Sequence, residues 1–221
     1  MEYRKLGKTE LLVSRLCFGS LTMSPLQRNL TAKEGGALLE RAYDKGVNFV
    51  DTADLYDNYE HIKYGLKNIG KNNLIISSKS YAYDRKTAED TLRRALKSID
   101  RDYIDIFMLH EQESIHTIRG HWDAIEFFIR MREKGHIRAL GLSTHHVAGV
   151  AGANEHDVFE VLHPICNFRG LGIQDGTIEE MIQALEISKK AGKGIYGMKP
   201  LGGGNLISNL EEEFAFELEQ K

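Results

Sequence analysis

Three ionisable side chains close short apolar runs in this sequence. Asp51 follows Val47-Asn48-Phe49-Val50, Lys79 follows Ile75-Ile76-Ser77-Ser78, and His110 follows Asp105-Ile106-Phe107-Met108-Leu109. Tyr56 lies five residues past Asp51, close enough for the loop to fold it back over the same rim. Together they suit one kind of chemistry. A phenol with an ordinary pKa of about 10 exchanges a proton near neutrality only when a cation stabilises its phenolate. Lys79 can supply that cation, Asp51 can hold the lysine charged and aimed, and His110 can fix the direction of a substrate oxygen. Such a set suits proton transfer to a carbonyl oxygen while another group delivers hydride. A lysine at a strand end can also form a Schiff base with a carbonyl, and these four residues alone leave that alternative open.

The elements that must position them follow a repeated grammar. Helical stretches end in glycine, at Gly46, Gly135 and Gly192, and a β-branched or aromatic run begins within three residues, as helix-to-strand joints do. Thr31-Ala32-Lys33-Glu34 and Thr177-Ile178-Glu179-Glu180 match the capping box. The spacing predicts helices near 31–45, 59–68, 87–98, 120–134, 177–191 and 209–220. Over 146–154 the helical pattern is weakened by Gly149 and Gly152. Strands are expected at 16–19, 47–51, 74–79, 104–109, 137–143, 161–167 and 194–199, after a hairpin over 2–14. Strands that alternate with helices imply a parallel sheet. The runs end about 30 residues apart, the spacing of a (β/α)8 barrel, with an open doubly wound sheet as the alternative. Continuing that step puts an eighth strand beyond Lys221, so the expected fold is a TIM-type barrel of about seven βα units with an N-terminal hairpin. The whole of 1–221 then reads as one incomplete barrel domain.

In a parallel barrel the strand ends converge on an active-site mouth. Besides Asp51, Lys79 and His110, that rim should receive Ser143-Thr144, Asn167 and Lys199. Here the sequence resembles the aldo-keto reductase family. Asp51-Thr52-Ala53-Asp54-Leu55-Tyr56, Lys79 and His110 are similar to its Asp, Tyr, Lys and His tetrad. Gly141-Leu142-Ser143-Thr144-His145 resembles a strand-five cofactor motif, Asn167 a carboxamide contact, and Met198-Lys199-Pro200-Leu201-Gly202-Gly203-Gly204 the loop along nicotinamide and pyrophosphate. The resemblance implies an NAD(P)H-dependent reductase of aldehydes or ketones, with NADPH the usual cofactor and NADH the alternative. It makes Tyr56 the general acid, Lys79 and Asp51 its tuning pair and His110 the orienting group. Its cofactor contacts would be Gly19, Ser20, Asp51, Ser143, Thr144, Asn167, Met198, Lys199, Leu201 and Gly202. Met198-Lys199 stands where many members carry a tyrosine and a serine, a form similar to the subgroup related to ferredoxin-fused members. The family grips the adenosine phosphate with residues after strand eight, which this sequence does not contain. An alternative is therefore a weakly active or inactive nucleotide-binding, regulatory barrel. Unpaired barrel edges would also favour self-association.

Composition narrows the classes further. Of 221 residues 42% are hydrophobic and 28% charged, ample for a core. A formal charge of −3 gives no basic face for nucleic acid. Two cysteines, Cys17 and Cys166, make no disulfide framework and fit a reducing cytoplasm. No apolar run reaches the length of a membrane span, and the expected partner is a small carbonyl compound. His110, Glu111, Glu113 and His116 match no standard zinc spacing, so no metal is expected. Gly192-Lys193-Gly194-Ile195-Tyr196-Gly197 spells G-x-G-x-x-G, but it enters a strand rather than opening a helix, so it is not read as a phosphate loop. Tyr81 and Tyr83 could line the mouth or pack their loop.

Overall fold

The computed structural model describes residues 1–209, 211 and 215–216. A two-stranded antiparallel hairpin, β1 (Tyr3–Lys5) and β2 (Leu12–Ser14), precedes a seven-stranded parallel sheet. Its strands pair in chain order: β3 (Phe18–Gly19), β4 (Phe49–Asp51), β5 (Ile75–Ser80), β6 (Ile104–Leu109), β7 (Ile137–Thr144), β8 (Val161–Pro164) and β9 (Gly194–Ile195). Helices alternate with them: α1 (Ala32–Asp44), α2 (Tyr59–Ile69), α3 (Arg85–Ile99), α4 (Ile115–Gly120) with α5 (Trp122–Glu133), α6 (Val147–Asn154) and α7 (Ile178–Lys190). Among the described residues this is a (β/α)8 barrel through its seventh strand, with β3 and β9 at the sheet edges.

Local signals account for most of the elements. Both expected capping boxes form at Thr31 and Thr177, and Asp84–Thr87 and Ser114–Thr117 add two more. Gly46, Gly135 and Gly192 all have positive φ, as glycines that stop helices do. The helix expected over 120–134 is α5; a further short helix, α4, precedes it, and His121, which leaves helical geometry at φ −101°, ψ 12°, separates the two. The weak stretch 146–154 is helical, and its glycines have a packing reason. A Cβ on Gly149 would stand 2.3 Å from the Gln112 carbonyl oxygen and from Thr144 Oγ1, and one on Gly152 2.7 Å from the Ile115 nitrogen. The glycines let α6 lie against the rim. The expected final strands are longer than those found: β8 ends at Pro164 and β9 at Ile195, with one further bridge between Ile165 and Met198. A proline has no N–H to continue a ladder. The helix expected over 209–220 falls largely outside the described residues.

Strand side chains alternate between two cores. Phe49, Ile106, Met108, Ala139 and Val161 fill the inside of the sheet together with Leu6, Leu11 and Val13, so the hairpin plugs its base. Val50, Phe107, Leu109, Leu140, Leu142 and Leu162 face the helices. The hairpin also reaches the edge strand, since the Lys8 N–H donates to the Gly192 carbonyl at 2.8 Å.

Candidate active site

The inner parity continues upward from the plug. Two residues above Phe49 is Asp51, two above Ser77 is Lys79, two above Met108 is His110, and two above Val161 is His163. The Lys79 ammonium donates to Asp51 Oδ1 at 2.7 Å, to Oδ2 at 2.6 Å and to the Thr52 carbonyl at 2.7 Å. The side chains of the pair are 1% and 10% exposed, so the ion pair is buried. Burial alone would raise the Asp51 carboxyl, but Lys79, with His163 and Tyr196, outweighs it and holds the group below the usual carboxylate range.

Tyr56 returns to this cluster on the short helical turn Asp54–Tyr56, closed by Asp57 in the left-handed conformation. The Lys79 nitrogen lies 5.3 Å from the centre of the Tyr56 ring, and the ring meets His110 edge-on at 5.9 Å. Tyr81 stacks on the other side of His110 at 4.4 Å and donates its hydroxyl to Glu111. Tyr81 thus lines the mouth, whereas Trp122 packs against His156 at 4.9 Å. Burial, with Lys79 beside it, pushes His110 down to about 3, and its Nδ1 is buried without a partner. The ring is therefore neutral at physiological pH.

Burial, with Asp51 and Glu111, raises the Tyr56 phenol above its ordinary value. The Lys79 ammonium meanwhile holds both Asp51 oxygens and the Thr52 carbonyl, and its nitrogen lies over the Tyr56 ring.

The remaining rim residues serve two ends. Ser143, Thr144 and Asn167 are fully buried. Ser143 Oγ accepts from the Glu111 N–H at 3.0 Å, and Thr144 Oγ1 accepts from the His146 N–H at 2.9 Å. The Asn167 amide donates to the Leu171 carbonyl at 3.0 Å and accepts from the Leu171 N–H at 2.9 Å. Thr144 and Asn167 thus bind their own loops. Gly19, in register with Asp51, is exposed, and a Cβ there would meet nothing within 4 Å, which leaves the rim open above the carboxylate. Ser20 is buried beneath it, its N–H bound to the Asp51 carbonyl. Lys199, at φ 56°, approaches His145 Nε2 at 2.9 Å, and Met198 bridges to Ile165. Leu201 and Gly202 follow in a tight turn through which Gly202, Gly203 and Gly204 all have positive φ.

Two residues of the inner face were missed by sequence reading. Tyr196 donates to Asp51 Oδ1 at 2.8 Å, and His163 stacks on Tyr196 at 4.0 Å. Their parity on the inner face was legible, but a tyrosine inside a G-x-G-x-x-G decoy and a histidine before proline draw no attention as a pair. Cys17 packs against the inner cluster, and burial, with Asp51, pushes its thiol up, away from thiolate formation. Among the described residues no three His, Cys, Asp or Glu side chains gather as a metal site would need. No helix there is long and apolar enough to cross a membrane.

This chain is similar to known proteins in sequence and in fold. The chain is 26% identical over 171 residues to a methylglyoxal reductase of Escherichia coli K12, covering 73% of this chain and 61% of the relative. It is 31% identical over 128 residues to a probable voltage-gated potassium channel subunit beta of Oryza sativa subsp. japonica, covering 52% and 38%. The chain spans less than two thirds of the length of these relatives. Among solved structures, a Pseudomonas aeruginosa protein described as an aldo-keto reductase superposes with a TM-score of 0.81 at 22% identity, covering 99% of this chain and 84% of that one. The holo form of a Bacillus halodurans aldo-keto reductase gives 0.75 at 19% identity, covering 92% and 68%. At these identities the structural likeness speaks for the fold. The family model described as the Aldo/keto reductase family matches residues 15–220, and this chain belongs to that family.

Proposed function

We propose that this chain reduces the carbonyl group of a small aldehyde or ketone with a nicotinamide cofactor. NADPH is the first choice and NADH the second. The observation that carries the reading is the buried Lys79–Asp51 pair beneath Tyr56, with a neutral His110 on the ring's edge. The reacting end of such a cofactor suits the open rim at Gly19 and the positive-φ turn at Gly202–Gly204, where backbone can come close. Gly19, Ser20 and Asp51 would flank the nicotinamide and its ribose. Ser143, whose hydroxyl proton has no partner among the described residues, and Asn167 would meet the carboxamide, with Thr144 stiffening the turn beside them. Met198, Lys199, Leu201 and Gly202 would run along the rest. When bound, the cofactor supplies the hydride.

The protein's own residues supply the remainder. His110, neutral, donates a single N–H that orients the substrate oxygen. Tyr56 passes its proton to that oxygen as the general acid. Lys79 is the nearest cation to the phenolate left behind.

Fluorescence titration with NADPH and NADH, followed by turnover with a panel of aldehydes, tests the reading. Tyr56→Phe should lower kcat by about a hundredfold or more and leave the nucleotide Kd within about twofold. An undiminished kcat in the Phe variant would overturn the assignment. The likeness to a channel β subunit favours a second reading, a nucleotide-binding barrel with a regulatory duty. Tight nucleotide binding with no turnover in the same assay would select it.

A further inference from the structure

Asp51 has one more partner than the four site residues provide. From the edge strand β9 the chain carries Tyr196 across the sheet interior, where its hydroxyl donates to Asp51 Oδ1 at 2.8 Å and lies 2.7 Å from Ser77 Oγ. The ring is fixed on two sides. It stacks on His163 with 19° between the planes and meets Phe49 edge-on at 4.8 Å. His163 Nδ1 donates to the Tyr196 carbonyl at 2.8 Å, which turns the lone pair of Nε2 toward Asp51 Oδ1, 3.8 Å away and beyond hydrogen-bond reach. Among the described residues Asp51 Oδ1 therefore has two donors, Lys79 and Tyr196, while Oδ2 has Lys79.

That asymmetry matters because the ammonium already holds three acceptors. Its nitrogen lies within hydrogen-bond distance of Oδ1, Oδ2 and the Thr52 carbonyl, and among the described residues it makes no hydrogen bond to the Tyr56 oxygen. When the Tyr56 O–H bond breaks and its proton passes to the substrate oxygen, the phenolate needs a donor. Lys79 can meet it only by releasing a bond it already makes. Releasing Oδ2 would strip that oxygen of its donor inside a buried site, a loss of full desolvation cost. Releasing the Thr52 carbonyl would likewise take a donor from a buried oxygen, whereas releasing Oδ1 leaves Tyr196 in place. We propose that Tyr196 is a positioning residue: by holding Asp51 Oδ1 it lets Lys79 turn one N–H to the Tyr56 oxygen while the carboxylate stays paired. Ser77 and His163 hold Tyr196 in register for this exchange. The inference rests on the reductase reading.

Tyr196→Phe tests it, because the ring, its stack on His163 and its contact with Phe49 are kept. The groups that bear on Tyr56 are Asp51 and Glu111, with Lys79, His110 and Tyr81 around the ring. Those that bear on Asp51 are Lys79, His163, Tyr196 and Cys17. The measurement is the pH profile of kcat for oxidation of the alcohol matching the best aldehyde substrate, with the oxidised cofactor. The limb that reports phenolate formation should move up by about one pH unit, a tenfold change in proton affinity, with KM within about twofold. Ser77→Ala removes the other hydrogen bond of the same hydroxyl and should leave the limb in place. A Phe variant with an unmoved limb, or a Ser77 variant that moves it as far, would overturn the proposal.

A wild-type chain without turnover would instead overturn the reductase reading and the catalytic half of this one. A double-mutant cycle on chemical unfolding, Tyr196→Phe against Asp51→Asn, then decides the rest. A coupling of fivefold or more in the unfolding equilibrium supports the hold on Asp51, and independent effects overturn it.

Discussion

At the scale of single residues, the site turns on how a buried ammonium distributes three protons. Lys79 is nearly inaccessible and Asp51 scarcely less so, which makes the pair costly to break. Lys79→Met leaves a buried carboxylate without its cation and should destabilise the chain by about 3–5 kcal/mol. Its Asp51 should titrate higher, because burial then acts unopposed by the lysine. Adding Asp51→Asn should recover part of the loss, since the uncompensated charge is gone. Urea unfolding of the three variants at pH 7.5 measures this, and a double variant no more stable than Lys79→Met would contradict it. Tyr56 sits differently. Its proton is held more firmly than in water, so the unassisted phenol is a weak acid, and proton donation depends on a cation that can stabilise the phenolate.

At the scale of elements, strand parity and close glycine contacts do the positioning. Asp51, Lys79 and His110 converge because each lies an even number of residues from an inner core position on β4, β5 or β6. A one-residue slip would turn any of them toward the helices. Helix α6 braces the rim from outside, since Gly149 lets it approach Thr144 and the Gln112 carbonyl. Gly149→Ala should gain about 1 kcal/mol of helix propensity yet lose more to overpacking, which costs about 1–3 kcal/mol or more. A net destabilisation of about 1–2 kcal/mol by chemical unfolding is expected. A stabilised Ala variant would mean that α6 can move away without cost.

For the whole molecule, the buried histidines couple stability to acid. Burial, with Lys79 adding, takes His110 to about 3, and burial, partly offset by Asp51, takes His163 to about 4. Each ring binds its proton less readily folded than unfolded, where the ordinary value is about 6.5. The unfolded chain therefore takes up more protons as pH falls through 6.5, and stability falls with it. Between pH 7.5 and 5 the loss is about 2 kcal/mol for each histidine. Asp51 acts in the same direction lower down: its depressed carboxyl contributes stability above the ordinary carboxylate range that is lost as pH falls further. Urea unfolding at pH 7.5 and 5 should show the decline, and His163→Gln should flatten it by about half. A flat profile in the wild type would mean that these rings are solvated.

The sequence by itself determined the βα alternation, the helix stops and the polar residues, Asp51, Lys79 and His110, that end neighbouring strands. Each of these is written locally, in capping residues, in glycines with positive φ and in polar residues that close apolar runs. It also marked the first and second strands within two residues of their ends, because buried strands have abrupt polar boundaries. Only the tertiary structure decided which groups share Asp51. Tyr196 lies 145 residues away in the chain, and it reaches the carboxylate because the sheet curls β9 back toward β4. The same curl brought His163 under the site and set Lys79 against Asp51 and the Thr52 carbonyl, an arrangement no spacing encodes. Hydrogen-bond sharing depends on angles and distances across the sheet interior, whereas sequence periodicity reports only which face a residue occupies.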